Sequence, residues 1–105
     1  AADTRFCVAL LDIDHFKSVN DTHGHAVGDG VLVRVADTLR AASGGHGLVS
    51  RHGGEEFAWL MPMTDLMQAQ LRCDHLREAV AYAPELLPLT VSIGLTQARD
   101  GDSVG

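Results

Sequence analysis

Apolar residues fall into two rhythms along this chain. From Arg5 to Leu11 they run almost unbroken through Phe6, Cys7, Val8, Ala9 and Leu10. A short run of this kind, bounded by polar residues, predicts a central strand buried on both faces. Further on, Leu32, Val35, Ala36 and Leu39 recur at helical spacing opposite Arg34, Asp37 and Arg40, which predicts an amphipathic helix. A second stripe of the same period is Leu66, Ala69, Cys73, Leu76 and Val80, with Arg72, Asp74 and Glu78 facing water. Between the two helices, Leu48 to His52 and Glu55 to Met61 flank Gly53-Gly54. Gly-Gly supplies the positive φ angles of a tight primed turn, so these runs predict a two-residue hairpin. Leu89 to Leu95, rich in β-branched residues, predicts the last strand.

Punctuation sets the joins. Asp14 to Asn20 reads as a short helical turn with Asp14 placed to cap it, and His23 to Gly30 as a glycine-punctuated loop leading into the first long helix. Ser43 to Gly47 stops that helix, Pro62 and Thr64-Asp65 open the second, and Pro84 and Pro88 end it. From Gln97 onward the chain is polar and is expected to fray. The order β-α-β-β-α-β predicts an α+β domain of the ferredoxin-like split arrangement, an antiparallel sheet with both long helices on one face.

Composition narrows the function. With 105 residues, 46% hydrophobic and 21% charged, the chain is one globular domain. Its charge of −6, from 8 Lys+Arg against 14 Asp+Glu, argues against a nucleic-acid surface, which carries a basic patch. An acidic domain that handles a phosphorylated ligand needs a metal ion to offset the charge. Cys7 and Cys73 lack metal-ligand spacing and read as a pair of buried, reduced thiols. No apolar run approaches the roughly 20 residues of a membrane span, and no secretory leader is evident, so the default location is the cytoplasm with no membrane contact by this domain.

The candidate chemistry lies where the strands end. In the predicted topology the end of the first strand, Asp12, comes next to the hairpin acids Glu55 and Glu56. Carboxylates within a few ångströms of one another are unfavourable unless a proton or a cation lies between them. Two carboxylates and a backbone carbonyl, without His or Cys, suit Mg²⁺, whose open positions substrate phosphates fill. The competing reading makes Asp12 and Glu55 mere turn caps. Neighbouring strand residues point to opposite faces, so one packing surface cannot bury both Glu55 and Glu56. Glycines at the turn also let a ligand approach the backbone. His23, His46, His52 and His75 form no cluster and read as structural. Phe57 and Trp59, inside a strand, read as core rather than as a stacking platform.

Five blocks in order carry a family resemblance: Asp12-Ile13-Asp14-His15-Phe16-Lys17; Asn20-Asp21; Gly24-His25 with Gly28-Asp29; Arg51-His52-Gly53-Gly54-Glu55-Glu56-Phe57; and Val91-Ser92-Ile93-Gly94. Together they closely resemble the GGDEF domain of diguanylate cyclases, in its GGEEF variant, from Phe6 to Leu95. The resemblance implies a palm-like fold related to nucleotidyl cyclases, and condensation of two GTP into cyclic dimeric GMP by a homodimer. It implies that Asp12, the carbonyl of Ile13 and Glu55 bind two Mg²⁺ ions (Mn²⁺ as the substitute), with Glu56 beside the reacting 3′-hydroxyl as metal ligand or base. Lys17 and the amides of His15 and Phe16 would hold the triphosphate. Asn20 and Asp29 would read guanine, a carboxylate accepting from the N1–H and amino edge that adenine lacks. His25 matches the substrate-side histidine, and Gly53 and Gly54 would let the nucleotide lie against the hairpin.

The match departs in two places. Many members carry an Arg-x-x-Asp product-binding site whose ends fall here at Gly44 and Gly47. A glycine cannot replace a bidentate guanidinium, so no product inhibition through that site is expected. The flanking N-terminal and C-terminal helices of the family also have no counterpart in residues 1–105, which raises a second reading: a GTP-binding regulatory domain, or a fragment, without catalysis. The resemblance further implies control by a sensory or receiver module.

Overall fold

The computed structural model describes residues 5–81 and 89–99. Its elements are β1 (Arg5–Ile13), α1 (Phe16–His23), α2 (His25–Ser43), β2 (Leu48–His52), β3 (Glu56–Pro62), α3 (Leu66–Ala81) and β4 (Val91–Arg99). The strands form one sheet in the order β2-β3-β1-β4, with every neighbouring pair antiparallel. This is the split β-α-β-β-α-β arrangement, with the short α1 added ahead of α2.

One face of the sheet carries the core. Cys7, Ala9, Leu11 and Ile13 alternate inward along β1, and Phe57, Trp59 and Met61 do so along β3. Val31, Leu32, Val35 and Leu39 of α2 and Ala69, Cys73, Leu76 and Val80 of α3 close over them. Phe57 and Trp59 are core residues, as expected. Both cysteines are buried and free, and burial pushes both thiols up from their ordinary value of 9.0.

Several expectations need correcting. β1 is not buried on both faces: Leu10 is 59% exposed and Asp12 is exposed. The helices lie on one side, and an antiparallel sheet can leave the other open. His23 to Gly30 is not a loop, because only Gly24, with φ 89°, separates α1 from α2. Two further side chains expected in water are engaged. Arg34 donates to the carbonyl of Val80 at 2.6 Å, and Arg72 donates to the hydroxyl of Thr64 at 3.0 Å. Leu66, assigned to the buried stripe, is 47% exposed. The expected fray at Gln97 is instead ladder, since Cys7 pairs with Gln97 and Arg5 with Arg99. Pro84 and Pro88 lie outside the described residues.

Candidate active site

The site begins where β1 leaves the sheet. Register places Asp12 opposite Glu56 on β3, Glu56 opposite His52 on β2, and Asp12 opposite Ser92 on β4. These residues form a row across the open face of the sheet. Directly paired residues have Cβ atoms about 5 Å apart, and like charges there repel. The carboxylates of Asp12, Glu55 and Glu56 make no hydrogen bond or ion pair among the described residues. A depression of about 340 Å³ lined by Leu10, Asp12, His52, Glu56 and Phe57 lies over the pair.

The hairpin differs in detail from the two-residue turn expected. His52 pairs with Glu56, so Gly53, Gly54 and Glu55 form a three-residue loop. Only Gly53 has a positive φ, 60°. Glu55 therefore belongs to the loop rather than to the strand. Its carbonyl accepts the Ile13 N–H at 3.4 Å, which joins the hairpin to the end of β1. The side chain of Arg51 folds back over the loop, Nε and Nη2 donating to the carbonyl of Gly54 at 3.2 and 2.7 Å. A Cβ at Gly53 or Gly54 would meet nothing within 4 Å, so the tip lies open.

On the other side of the site, α1 packs against α2. Gly28 is buried because a Cβ there would lie 1.8 Å from Asn20 Oδ1; glycine is the residue that lets the two helices meet. That oxygen is itself buried without a hydrogen-bond partner. A buried, unpartnered acceptor in a native fold calls for an explanation, such as a missing ligand. Asp29, one residue on, is exposed and lines a groove of about 320 Å³ with Leu32, Val33, Arg51 and Phe57. Phe57 borders both the groove and the acid depression. Neither includes Lys17, His25 or Glu55; Lys17 and His25 are exposed.

Asp14 does not cap α1. His15 stands at the N-cap position with φ 57°, and no side chain caps the helix. The carboxylate of Asp14 instead accepts hydrogen bonds from Thr90 Oγ1 at 2.7 Å and Ser92 Oγ at 2.5 Å. Those bonds, Ser92 first, hold its carboxyl below the usual carboxylate range. Sequence order could not reveal this, because the partners are 76 and 78 residues away.

Among the described residues no three His, Cys, Asp or Glu side chains converge into a ready-made metal cage. Mg²⁺ does not require one: it binds one or two carboxylates and keeps positions for water and phosphate. An unpartnered Asp12 facing Glu56 fits such an ion on chemistry. No helix among the described residues is long and apolar enough to cross a membrane.

Comparison with known proteins bears on this arrangement. The sequence profile of the "Diguanylate cyclase, GGDEF domain" matches residues 1–104. The probable diguanylate cyclase DgcF of Escherichia coli is 43% identical over 97 residues, covering 88% of this chain and 31% of that protein. Among solved structures, the GGDEF domain of DgcB from Caulobacter crescentus in complex with c-di-GMP superposes with a TM-score of 0.87 at 34% identity, over 95% of this chain and 63% of that one. The active GGEEF domain of a diguanylate cyclase from Vibrio cholerae superposes equally, TM-score 0.87 at 28% identity, over 95% and 66%. The chain spans about half or less of the length of the curated relatives it matches. Sheet order, the acid pair at the hairpin and the sequence profile agree: this chain belongs to the diguanylate cyclase GGDEF domain family.

Proposed function

We propose that this domain condenses two molecules of GTP into cyclic dimeric GMP, the 3′-hydroxyl oxygen of each displacing pyrophosphate from the α-phosphorus of the other. The observation that carries the reading is the β1–β3 register, which sets the unpartnered acids Asp12 and Glu56 face to face. In this reading Asp12, the Ile13 carbonyl and Glu55 would hold two Mg²⁺ ions, and Glu56 would stand beside the attacking hydroxyl as a further metal ligand or as the base that takes its proton. Ions held there would supply acidification of that hydroxyl and charge compensation for the leaving pyrophosphate. The chain's own groups do the rest. Lys17 and the uncapped first amides of α1 hold the triphosphate, since a helix start with one fixed cation suits an anion. Asn20 and Asp29 orient guanine, with Asp29 exposed along its groove and Asn20 turning its unpartnered Oδ1 out of the helix contact to meet a guanine N–H. His25, Gly53 and Gly54 lie along the nucleotide. Each protomer presents one GTP, so the working unit is a two-fold dimer, in the cytoplasm and controlled by a sensory or receiver module.

The test is incubation of the intact protein with GTP and Mg²⁺, with Asp12→Ala and Glu55→Ala beside it. Cyclic dimeric GMP from the parent, and a loss of at least about a hundredfold in either variant, is the expected result. Mg²⁺-dependent GTP binding without product would instead make this a regulatory domain. No GTP binding by folded protein would overturn the reading.

Product inhibition through the Gly44–Gly47 surface is not expected. Gly47 has φ 84°, and a Cβ there would lie 1.9 Å from the carbonyl oxygen of Leu60, so an aspartate cannot stand in this backbone. Titration of the isolated domain with cyclic dimeric GMP should show no tight site at that surface.

A further inference from the structure

We propose that Asp14 is a positioning residue for the nucleotide site, drawn onto β4 so that it fixes the end of β1 and leaves the start of α1 open. The inference rests on the site assigned under Proposed function. Three hydrogen bonds carry it: Thr90 Oγ1 to Oδ2 at 2.7 Å, Ser92 Oγ to Oδ1 at 2.5 Å, and the Asp14 N–H to the Thr90 carbonyl at 3.0 Å. Both carboxylate oxygens are therefore occupied, by Ser92 in β4 and by Thr90 just before it.

The location gives these bonds their consequence. Asp14 follows Asp12 and Ile13 directly, and Ser92 is the cross-strand partner of Asp12. Tying Asp14 to Ser92 and Thr90 thus fixes the chain where the acid pair and the Ile13 carbonyl must face a ligand. The next residue, His15, takes the left-handed conformation, φ 57°, a strained state that persists only where its surroundings hold it. α1 then starts with no side-chain cap. An aspartate near a helix start ordinarily takes the first N–H groups itself. Were its carboxylate free, Asp14 would compete with an anionic ligand for those amides and add a negative charge beside them. Thr90 and Ser92, both exposed, draw it away.

The experiment uses the intact protein with three changes, Asp14→Ala, Asp14→Asn, and the double variant Thr90→Val/Ser92→Ala. The double variant leaves every assigned ligand in place and alters only exposed hydroxyls. Mn²⁺ binding in the presence of GTP is read from loss of the free-ion resonance signal, GTP binding by calorimetry, and folding by thermal melting. Asp14→Ala and the double variant should weaken Mn²⁺ and GTP binding about tenfold, the weight of a charge-assisted hydrogen bond. Asp14→Asn, which can still accept one hydroxyl, should recover part of the loss. A lower thermal midpoint with unchanged Mn²⁺ and GTP affinity would show a merely structural staple and overturn the proposal. So would parent-like binding in the double variant. If the parent itself binds neither Mn²⁺ nor GTP, the underlying site assignment fails and this inference falls with it.

Discussion

The two halves of the site are held by opposite means. Where α1 meets α2, contact is tight: Gly28 is buried against Asn20 and Phe16, and the join to β1 is stapled to β4 through Asp14. At the hairpin tip, Gly53 and Gly54 face open space, and the loop is held by Arg51 three residues away. The half that would read a base is held by this close helix contact and by the Asp14 bonds. The half that carries Glu55 and Glu56 is held by the Arg51 bonds and by one backbone bond from the Ile13 N–H to the Glu55 carbonyl, and its tip leaves room for a second molecule. Under the proposed condensation of two GTP such a division would serve, because recognition needs fixed donors and acceptors while joining needs access.

Substitutions that add one methyl group should separate the halves. Gly28→Ala carries the largest expected effect. Its Cβ would enter the space of Asn20 Oδ1, 1.8 Å away, and overpacking of this kind costs about 1–3 kcal/mol, or several degrees in the thermal midpoint. Adding Asn20→Ala should return much of that stability while weakening GTP binding. A fully additive double-mutant cycle would mean that the helices are not held by this contact.

Gly53→Ala should cost less, about 1 kcal/mol, since only its left-handed backbone resists and no atom stands in the way. If thermal melting ranks it above Gly28→Ala, the contrast between a packed half and an open half is wrong. Arg51→Ala should be smaller again in stability, at most about 1 kcal/mol, because its hydrogen bonds are exposed. Its expected mark is kinetic, a lower turnover at unchanged GTP affinity, as the loop carrying Glu55 loosens.

The smallest effect belongs to the core that both halves share. Burial raises the thiols of Cys7 and Cys73, so native protein should not react with a thiol reagent at pH 8, whereas denatured protein should react fully. The contribution of the neutral thiols to stability is whole below their unfolded value of 9.0. It is lost as pH climbs through the raised folded values. Fast labelling of native protein would show that the core beneath β1 and α3 opens readily.

Much of this molecule was legible before it was folded. Helical stripes placed α2 and α3, the β-branched run placed β4, and the hairpin acids and glycines marked the site. Local chemistry was enough there because backbone preference and apolar period act over a few residues. The misreadings share a cause. The His23–Gly30 segment looked like a loop because glycine disfavours helix by about 1 kcal/mol; packing against Asn20 and Phe16 overrides that preference at Gly28. Asp14 looked like a cap because its rivals for the carboxylate, Thr90 and Ser92, are far off in sequence. The Arg5–Leu11 run looked doubly buried because periodicity cannot report which faces a sheet leaves bare.

The sequence by itself determined the element order, the identity of the core and the family motifs, since each depends on residue type at short spacing. Only the tertiary structure decided which of the hairpin acids Asp12 faces, that Glu55 belongs to the turn, that the Asn20 Oδ1 is buried without a partner, and that Asp14 bonds to Thr90 and Ser92 rather than to α1. Each of those outcomes is a competition between partners distant along the chain. It is resolved by strand register and helix contact, which no local pattern encodes.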